Sequence, residues 1–213
     1  MIKAVLLDFD GTLVTKDILD VVCGIVGKEK ESDEINKKFH SGKLTGLAPL
    51  INRINFLQGV SLTQIQKKLD ENAYLLKGAI ELLDFLNQHK ITSILNSGNI
   101  TPVLAYYQEL LGISHIVGTD PKMNGDTILS ISEEDFPGSD FKVIGVKKIL
   151  ESLSILPDET IAIGDSPADK TMFEFVGRSI AINPKGGIEK FATYNIESDL
   201  SKAIEIIEEL NSD

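Results

Sequence analysis

Short runs of apolar, β-prone residues recur along this chain, separated by stretches with helical spacing. Ile2 to Leu7 is apolar except at Lys3, the pattern of a buried parallel strand. Similar runs occupy Ile91–Leu95, His115–Val117, Thr160–Ile163 and Ser179–Ile182. Between them, Ala79, Leu82, Leu83 and Leu86 fall at i, i+3, i+4 and i+7. Val146, Ile149, Leu150 and Leu153 repeat that spacing, as do Leu200, Ala203, Ile204 and Ile207. Each set predicts a helix with one apolar face. Thr101-Pro102 reads as an N-cap followed by proline at the first helical position, and Gly112 closes that helix. Strands alternating with helices predict an α/β fold, a parallel sheet covered on both faces.

The alternation breaks between about Thr15 and Lys77, where helical patterns occur without a convincing strand. Lys28 to Lys38 is heavily charged and reads as a solvated helix face. Gly42, Gly46, Pro49 and Gly59 punctuate the segment. The chain therefore divides into a core of residues 1–14 and 78–213 and a helical insertion of residues 15–77. Ligands in such sheets bind at the carboxyl ends of the strands, so an insertion after the first strand should cover the site. A second irregular stretch, Asp120 to Asp140, fits a β-hairpin turning at Asn124-Gly125.

Composition narrows the partners. The 213 residues carry a net charge of −11, which disfavours nucleic acid, whose phosphates are bound by clustered Lys and Arg. An acidic chain that handles a phosphorylated ligand needs local positive charge, and a bound cation supplies it. Cys23 is the only cysteine, so no internal disulfide forms, and its apolar neighbours predict a core thiol. The apolar run at the N-terminus is too short for a signal peptide, and no stretch approaches the roughly 18 apolar residues that span a bilayer. No membrane partner is expected, and the cytoplasm is the default compartment.

Candidate chemistry sits at the strand ends. Asp8-Phe-Asp10-Gly-Thr12 directly follows the first strand, and alternation along a strand sets both carboxylates on one side. Like charges so close need a cation between them or a proton on one. One aspartate is then suited to attack and the other to carry the proton. A solvated turn is the plainer alternative. Gly164-Asp165-Ser-Pro-Ala-Asp169 ends another strand. Gly164 allows a sharp turn and close approach of a ligand, and Asp165 and Asp169 offer the hard oxygens that Mg²⁺ prefers. Asp169 equally fits an acid at a helix N-terminus. Ser97-Gly98-Asn99 ends a third apolar run. Its hydroxyl and neighbouring N–H groups suit a phosphoryl oxygen, or make an ordinary strand-to-helix turn. A lysine is wanted against the clustered carboxylates, and Lys142, Lys147 and Lys148 compete for that role. His40, His89 and His115 are scattered and read as core or surface residues.

In order and placement, this set resembles the four motifs of the haloacid dehalogenase-like phosphatases: Asp-x-Asp-Gly-Thr, a strand-end Ser/Thr, a Lys, and Gly-Asp-x-x-x-Asp. The resemblance spans nearly the whole chain and implies a Rossmann-like sheet and a Mg²⁺ cofactor. It implies Asp8 as nucleophile and metal ligand, and Asp10 as general acid/base with its carbonyl on the metal. Thr12 would support the turn, Ser97, Gly98 and Lys142 would hold the phosphate, and Asp165 and Asp169 would complete the metal site. In the phosphoserine phosphatase branch the lysine begins a helix ahead of the Gly-Asp strand, which Lys142 matches better than its competitors. The insertion resembles that branch's cap domain: Ser41-Gly-Lys-Leu through Arg53-Ile-Asn-Phe-Leu-Gln-Gly59 is similar to its Gly-x-Leu…Arg-Val-x-Leu-Leu-x-Gly segment. By that resemblance Asp17 and Arg53 would hold the ammonium and carboxylate of a phosphorylated amino acid. The chain departs from the branch at Asp17 for Glu, Gly46 for Phe, His40 for Met and Asn99 for a second glycine. The expected activity is hydrolysis of a small phosphomonoester, phosphoserine or similar, through an aspartyl-phosphate. A phosphatase for another small phosphorylated metabolite, a phosphotransferase of the superfamily and a non-catalytic phosphate switch are the alternatives. The dehalogenase branch lacks the Asp-x-Asp pair.

Overall fold

The computed structural model describes residues 1–138 and 140–212. In chain order, strands β1 (Ala4–Leu7), β2 (Thr92–Ile100) and β3 (His115–Thr119) precede a hairpin of β4 (Lys122–Asn124) and β5 (Thr127–Ser130). Strands β6 (Thr160–Gly164), β7 (Arg178–Ile182) and β8 (Tyr194–Ile196) follow. Six of these form one parallel sheet in the order β3-β2-β1-β6-β7-β8. Alternation along β1 explains its central place. Val5 and Leu7 pack into one apolar cluster, Ala4 and Leu6 into the other, and none of the four is exposed. Burying Val5, Leu6 and Leu7 contributes roughly 1.5–3 kcal/mol apiece.

Helices cover both faces, as the sequence predicts. Helices α5 (Ala79–Gln88), α6 (Thr101–Leu111) and α9 (Lys202–Ser212) bury Leu82, Val103, Tyr107 and Ile207 on the face with Val5 and Leu7. Helices α7 (Phe141–Leu153) and α8 (Lys170–Phe175) bury Val146, Leu150, Met172 and Phe173 on the other. The predicted strands all form. Strand β2 runs further than the apolar run predicts, to Ile100, and so carries Ser97 and Gly98 within it. The short edge strand β8 carries no apolar signal of its own. One cap differs: α6 begins at Thr101 itself, with Ile100 extended at the N-cap. The Thr101 hydroxyl instead donates to the Thr119 carbonyl and the Asp120 carboxylate.

Between β1 and α5 the chain forms α1 (Ile18–Cys23), α2 (Glu29–His40), α3 (Ala48–Asn55) and α4 (Leu62–Asp70), with no strand among the described residues. The hairpin expected within Asp120–Asp140 forms, but it turns at Gly125-Asp126, one residue later than the expected Asn124-Gly125, because Asn124 still pairs with Thr127; residue 139 of that stretch lies outside the described residues. This hairpin reaches the helical segment. Gly59 N donates to Ile128 O at 2.7 Å, Ile128 N to Val60 O at 2.9 Å, and Leu62 N to Asp126 O at 2.8 Å. The Asn55 amide both accepts from Ile131 N and donates to Ile131 O. Cys23 is buried, and burial pushes its thiol up to about 11, so it is an inert core residue.

Candidate active site

The carboxyl ends of β1, β2 and β6 open into a cavity of about 390 Å³. Asp8 and Asp10 both line it, while Phe9 between them is buried edge-on against Tyr107, with ring centroids 4.8 Å apart. Strand alternation thus sets the two carboxylates on one side. After Asp10 the chain turns back, with the Gly11, Leu13 and Val14 amides bonding within the loop. Gly11 has φ of +94°, and a Cβ there would overlap the Asp165 carboxylate. The Thr12 hydroxyl, expected to support this turn, is buried with no hydrogen-bond partner among the described residues.

Asp8, Asp165 and Asp169 converge, each buried, with carboxylate oxygens within 4.8 Å of one another. Gly164 makes room for this. A Cβ on it would lie 2.6 Å from the Asp169 carboxylate, which folds back over the strand end and accepts from the Asp165 and Ser166 amides. Close approach of Asp169, more than a sharp turn, is what Gly164 allows. Lys142, second residue of α7, places Nζ 3.1 Å from Asp8 Oδ1 and 3.7 Å from Asp169 Oδ1. Burial opposes its charge, but Asp8 and Asp169 outweigh that and hold its pKa above the ordinary lysine value. Lys147 and Lys148, the competing lysines, are exposed. The Ser97 hydroxyl lines the cavity and accepts from Asn99 N at 3.0 Å, which leaves its proton to donate. Gly98 lines it too, where a Cβ would crowd Leu50 of α3 at 3.3 Å.

Burial first, then the Asp17 carboxylate, raise the pKa of Asp10 well above the usual range, against the Ile18 amide that donates to it at 2.8 Å. Arg53 is buried rather than solvated. Its Nη2 donates to Asp17 and, at 3.0 Å, to Asp20; Nε donates to Ser32 at 2.9 Å and Nη1 to Asn36 at 3.3 Å. Asp17 also caps α1 through Asp20 N and accepts from Asn36 Nδ2. The residues expected to grip the substrate's far end are therefore partners of each other.

The family model for haloacid dehalogenase-like hydrolases matches residues 5–174. The chain belongs to that family. It is 26% identical over 208 residues to the phosphoserine phosphatase of Campylobacter jejuni subsp. doylei, an alignment covering 97% of this chain and 100% of the relative. Two solved phosphoserine phosphatase structures share its fold. A substrate-bound complex superposes with a TM-score of 0.83 at 23% identity, over 97% of this chain and 98% of that one. A phospho-aspartyl intermediate analogue gives 0.81 at 24% identity, over 96% and 98%.

Haloacid dehalogenase-like phosphatases use a divalent metal, and the acidic cluster fits one. Three buried carboxylates at this spacing repel one another without a cation, and buried Asp169 Oδ1 has no hydrogen-bond partner among the described residues. Hard oxygen donors suit a hard divalent ion. Burial, then Asp8, raise the pKa of Asp165, and the same two causes push Asp169 up to about 7. Lys185 escapes sequence reasoning: its Nζ lies 2.7 Å from Asp165 Oδ2, although its side chain is 65% exposed. The Pro184-Lys-Gly-Gly loop after β7, at the carboxyl edge of the sheet, was the available signal. Asp20, Ser32 and Asn36 escape it too, because helical periodicity does not distinguish polar residues that turn inward.

Proposed function

We propose that the chain is a Mg²⁺-dependent phosphatase that hydrolyses a small phosphorylated metabolite, phosphoserine or a compound of similar size, through a phosphorylated Asp8. One observation carries this reading: Asp8 shares a cavity with Asp10 and Lys142, lies 3.1 Å from the lysine ammonium, and belongs to the buried acidic cluster with Asp165 and Asp169. The Asp8 carboxylate attacks phosphorus and the bond to the leaving oxygen breaks. Asp10, whose protonated form is favoured by burial and by Asp17, gives its proton to that oxygen. Asp10 then takes a proton from water, whose oxygen attacks the phospho-aspartate, releasing phosphate and restoring Asp8. Lys142, the Ser97 hydroxyl and the Gly98 amide hold the phosphoryl oxygens. Mg²⁺ would be held by the Asp8, Asp165 and Asp169 carboxylates and the Asp10 carbonyl, supplying positive charge to the phosphoryl group.

Residues 15–77 act in this reading as a cap domain over a catalytic core of residues 1–14 and 78–213. Asp17, Asn36, His40, Leu50 and Arg53 of that segment line the cavity, which supports a substrate small enough to sit beneath it. Among the described residues no helix is long and apolar enough to cross a membrane, in keeping with a metabolite phosphatase of the cytoplasm. The test is Asp8→Asn, which keeps the shape and removes the nucleophile. Turnover of p-nitrophenyl phosphate with Mg²⁺ should fall by at least about a thousandfold, and acid-quenched mass spectrometry should lose the phosphoryl adduct seen on the parent. Near-parental turnover in this variant would overturn the mechanism.

A further inference from the structure

Asn96 places an amide on a sheet face that is otherwise apolar beneath the helices. Along β2 it follows Ile94, which packs into the cluster under α7 and α8, and alternation turns both side chains the same way. Asn96 is fully buried. Its Nδ2 donates to Met172 Sδ of α8 at 3.6 Å. Its Oδ1 is buried with no hydrogen-bond partner among the described residues. A buried acceptor without a donor costs stability that an apolar side chain of the same shape would not.

Strand register shows what the amide lies beneath. Leu7 of β1 pairs with Leu95 of β2, and one step further Asp8 stands beside Asn96. On its other side Asn96 is in register with Val117 of β3. Helix α7 packs over this face. A Cβ on Gly145 would lie 2.5 Å from the Val117 side chain, and Lys142, one turn earlier, reaches Asp8 Oδ1 at 3.1 Å. Val117, Asn96 and Asp8 are thus neighbours across three strands, and the Lys142 side chain runs from the helix above the first to the last. Asn96 lies under that path. Of the residues that α7 turns to this face, Lys142, Gly145, Val146, Ile149 and Leu150, only Lys142 carries a side-chain donor. Its ammonium has three protons. Asp8 takes one, and Asp169 Oδ1 is 3.7 Å away.

We propose that Asn96 is a positioning residue for Lys142. When a phosphoryl group enters the site, Asn96 Oδ1 takes one ammonium proton, and the other two are aimed at the phosphoryl oxygens. A neutral acceptor suits this place, since it orients the ammonium without drawing its charge away from the phosphate. The stability lost to a buried, unpaired amide oxygen in the empty site is recovered when the ligand is bound. This rests on the phosphatase reading and adds to the same site a residue that does not itself line the cavity.

The test uses Asn96→Leu, which keeps the volume and removes the acceptor, together with Lys142→Met and the double variant. Three quantities are read with Mg²⁺: the urea midpoint, the Kd of inorganic phosphate by calorimetry, and kcat/KM for p-nitrophenyl phosphate. Asn96→Leu should unfold at the same urea concentration as the parent or a higher one, yet bind phosphate at least about fivefold more weakly. In the Lys142→Met background the same substitution should change phosphate affinity by less than about twofold, because no ammonium remains to be held. Where that background binds phosphate too weakly for calorimetry, kcat/KM is compared in its place. Parental phosphate affinity in folded Asn96→Leu would overturn the inference, and so would equal losses with and without Lys142. If Asn96→Leu does not fold, Asn96→Val takes its place; failure of both to fold would assign the amide to the fold and overturn its role toward Lys142. A parent that neither hydrolyses p-nitrophenyl phosphate nor binds phosphate overturns the phosphatase reading as well, whereas a parent that does both and is matched by Asn96→Leu overturns this inference alone.

Discussion

A methyl group at position 11 would overlap the Asp165 carboxylate and approach Lys185 Nζ at 3.1 Å, on a backbone whose φ of +94° already excludes most side chains. Gly11 therefore ties the first strand-end loop to the second acidic motif. Glycine is needed there for two separate reasons, backbone conformation and space. Gly11→Ala should destabilise the protein by about 2–4 kcal/mol in urea unfolding, combining left-handed strain with displacement of a packed group. It should also weaken Mn²⁺ binding measured by electron paramagnetic resonance, because the displaced carboxylate belongs to the cluster that fits a cation. An unchanged unfolding midpoint would contradict this account. Gly164 works similarly but without positive φ: it is a β-strand residue whose missing side chain leaves room for Asp169.

At the scale of elements, the hairpin β4–β5 and the helical segment behave as one unit. Backbone bonds from Gly59 and Leu62 to the hairpin, and the return bond from Ile128, join them. The Asn55 side chain adds two more bonds, at 2.9 and 3.0 Å, to Ile131. Asn55 lies at the end of α3, the helix that carries Arg53 into the cavity. Asn55→Ala would leave the N–H and C=O of buried Ile131 without these partners, at a cost of about 1–3 kcal/mol. Hydrogen exchange of the hairpin and α3 amides should quicken together, while β1 and β6 remain protected. Faster exchange confined to one of the two elements would show that they are not coupled through Asn55. Helix α7 illustrates the same scale on the other side of the sheet: packing Val146 and Leu150 inward turns Lys142 at its first turn toward Asp8.

Across the whole molecule, a chain of net charge −11 concentrates three carboxylates in one buried cluster, offset by Lys142 and Lys185. Burial, then Asp8, push Asp169 up to about 7, against an unfolded value near 3.9. The metal-free folded protein thus holds a proton that the unfolded chain releases between those two pH values. Unfolding there releases protons, so stability is greatest below the lower value and declines as pH rises through the upper one. With EDTA, the urea midpoint should fall between about pH 5 and pH 8, and added Mg²⁺ should flatten the decline by binding the ionised cluster. Asp169→Asn in EDTA should be more stable than the parent at about pH 8, by about 1–3 kcal/mol, since the amide keeps the acceptor for Asp165 N and Ser166 N without the charge. A midpoint that is level with pH in EDTA would count against a protonated Asp169.

The strand ends were legible in the sequence because their evidence is local. An apolar run and the polar residue that terminates it are neighbours in the chain, so Asp8 and Asp165 could be assigned to strand ends, and Asp10 to the same side as Asp8, from alternation alone; at Ser97 the same reasoning ended β2 too early, because backbone pairing carries that strand on through polar residues to Ile100. Helical spacing likewise marked the segment between β1 and α5 as strandless. Other features required the fold because their partners are remote. Lys142 meets Asp8 across 134 residues, and only the docking of α7 on the sheet separates it physically from exposed Lys147 and Lys148. Arg53 read as a solvated residue or a free clamp until Asp17, Asp20, Ser32 and Asn36, from two other helices and their caps, closed around it. Periodicity reports which face of a helix is apolar; which polar side chains that face traps against one another is decided by helix packing.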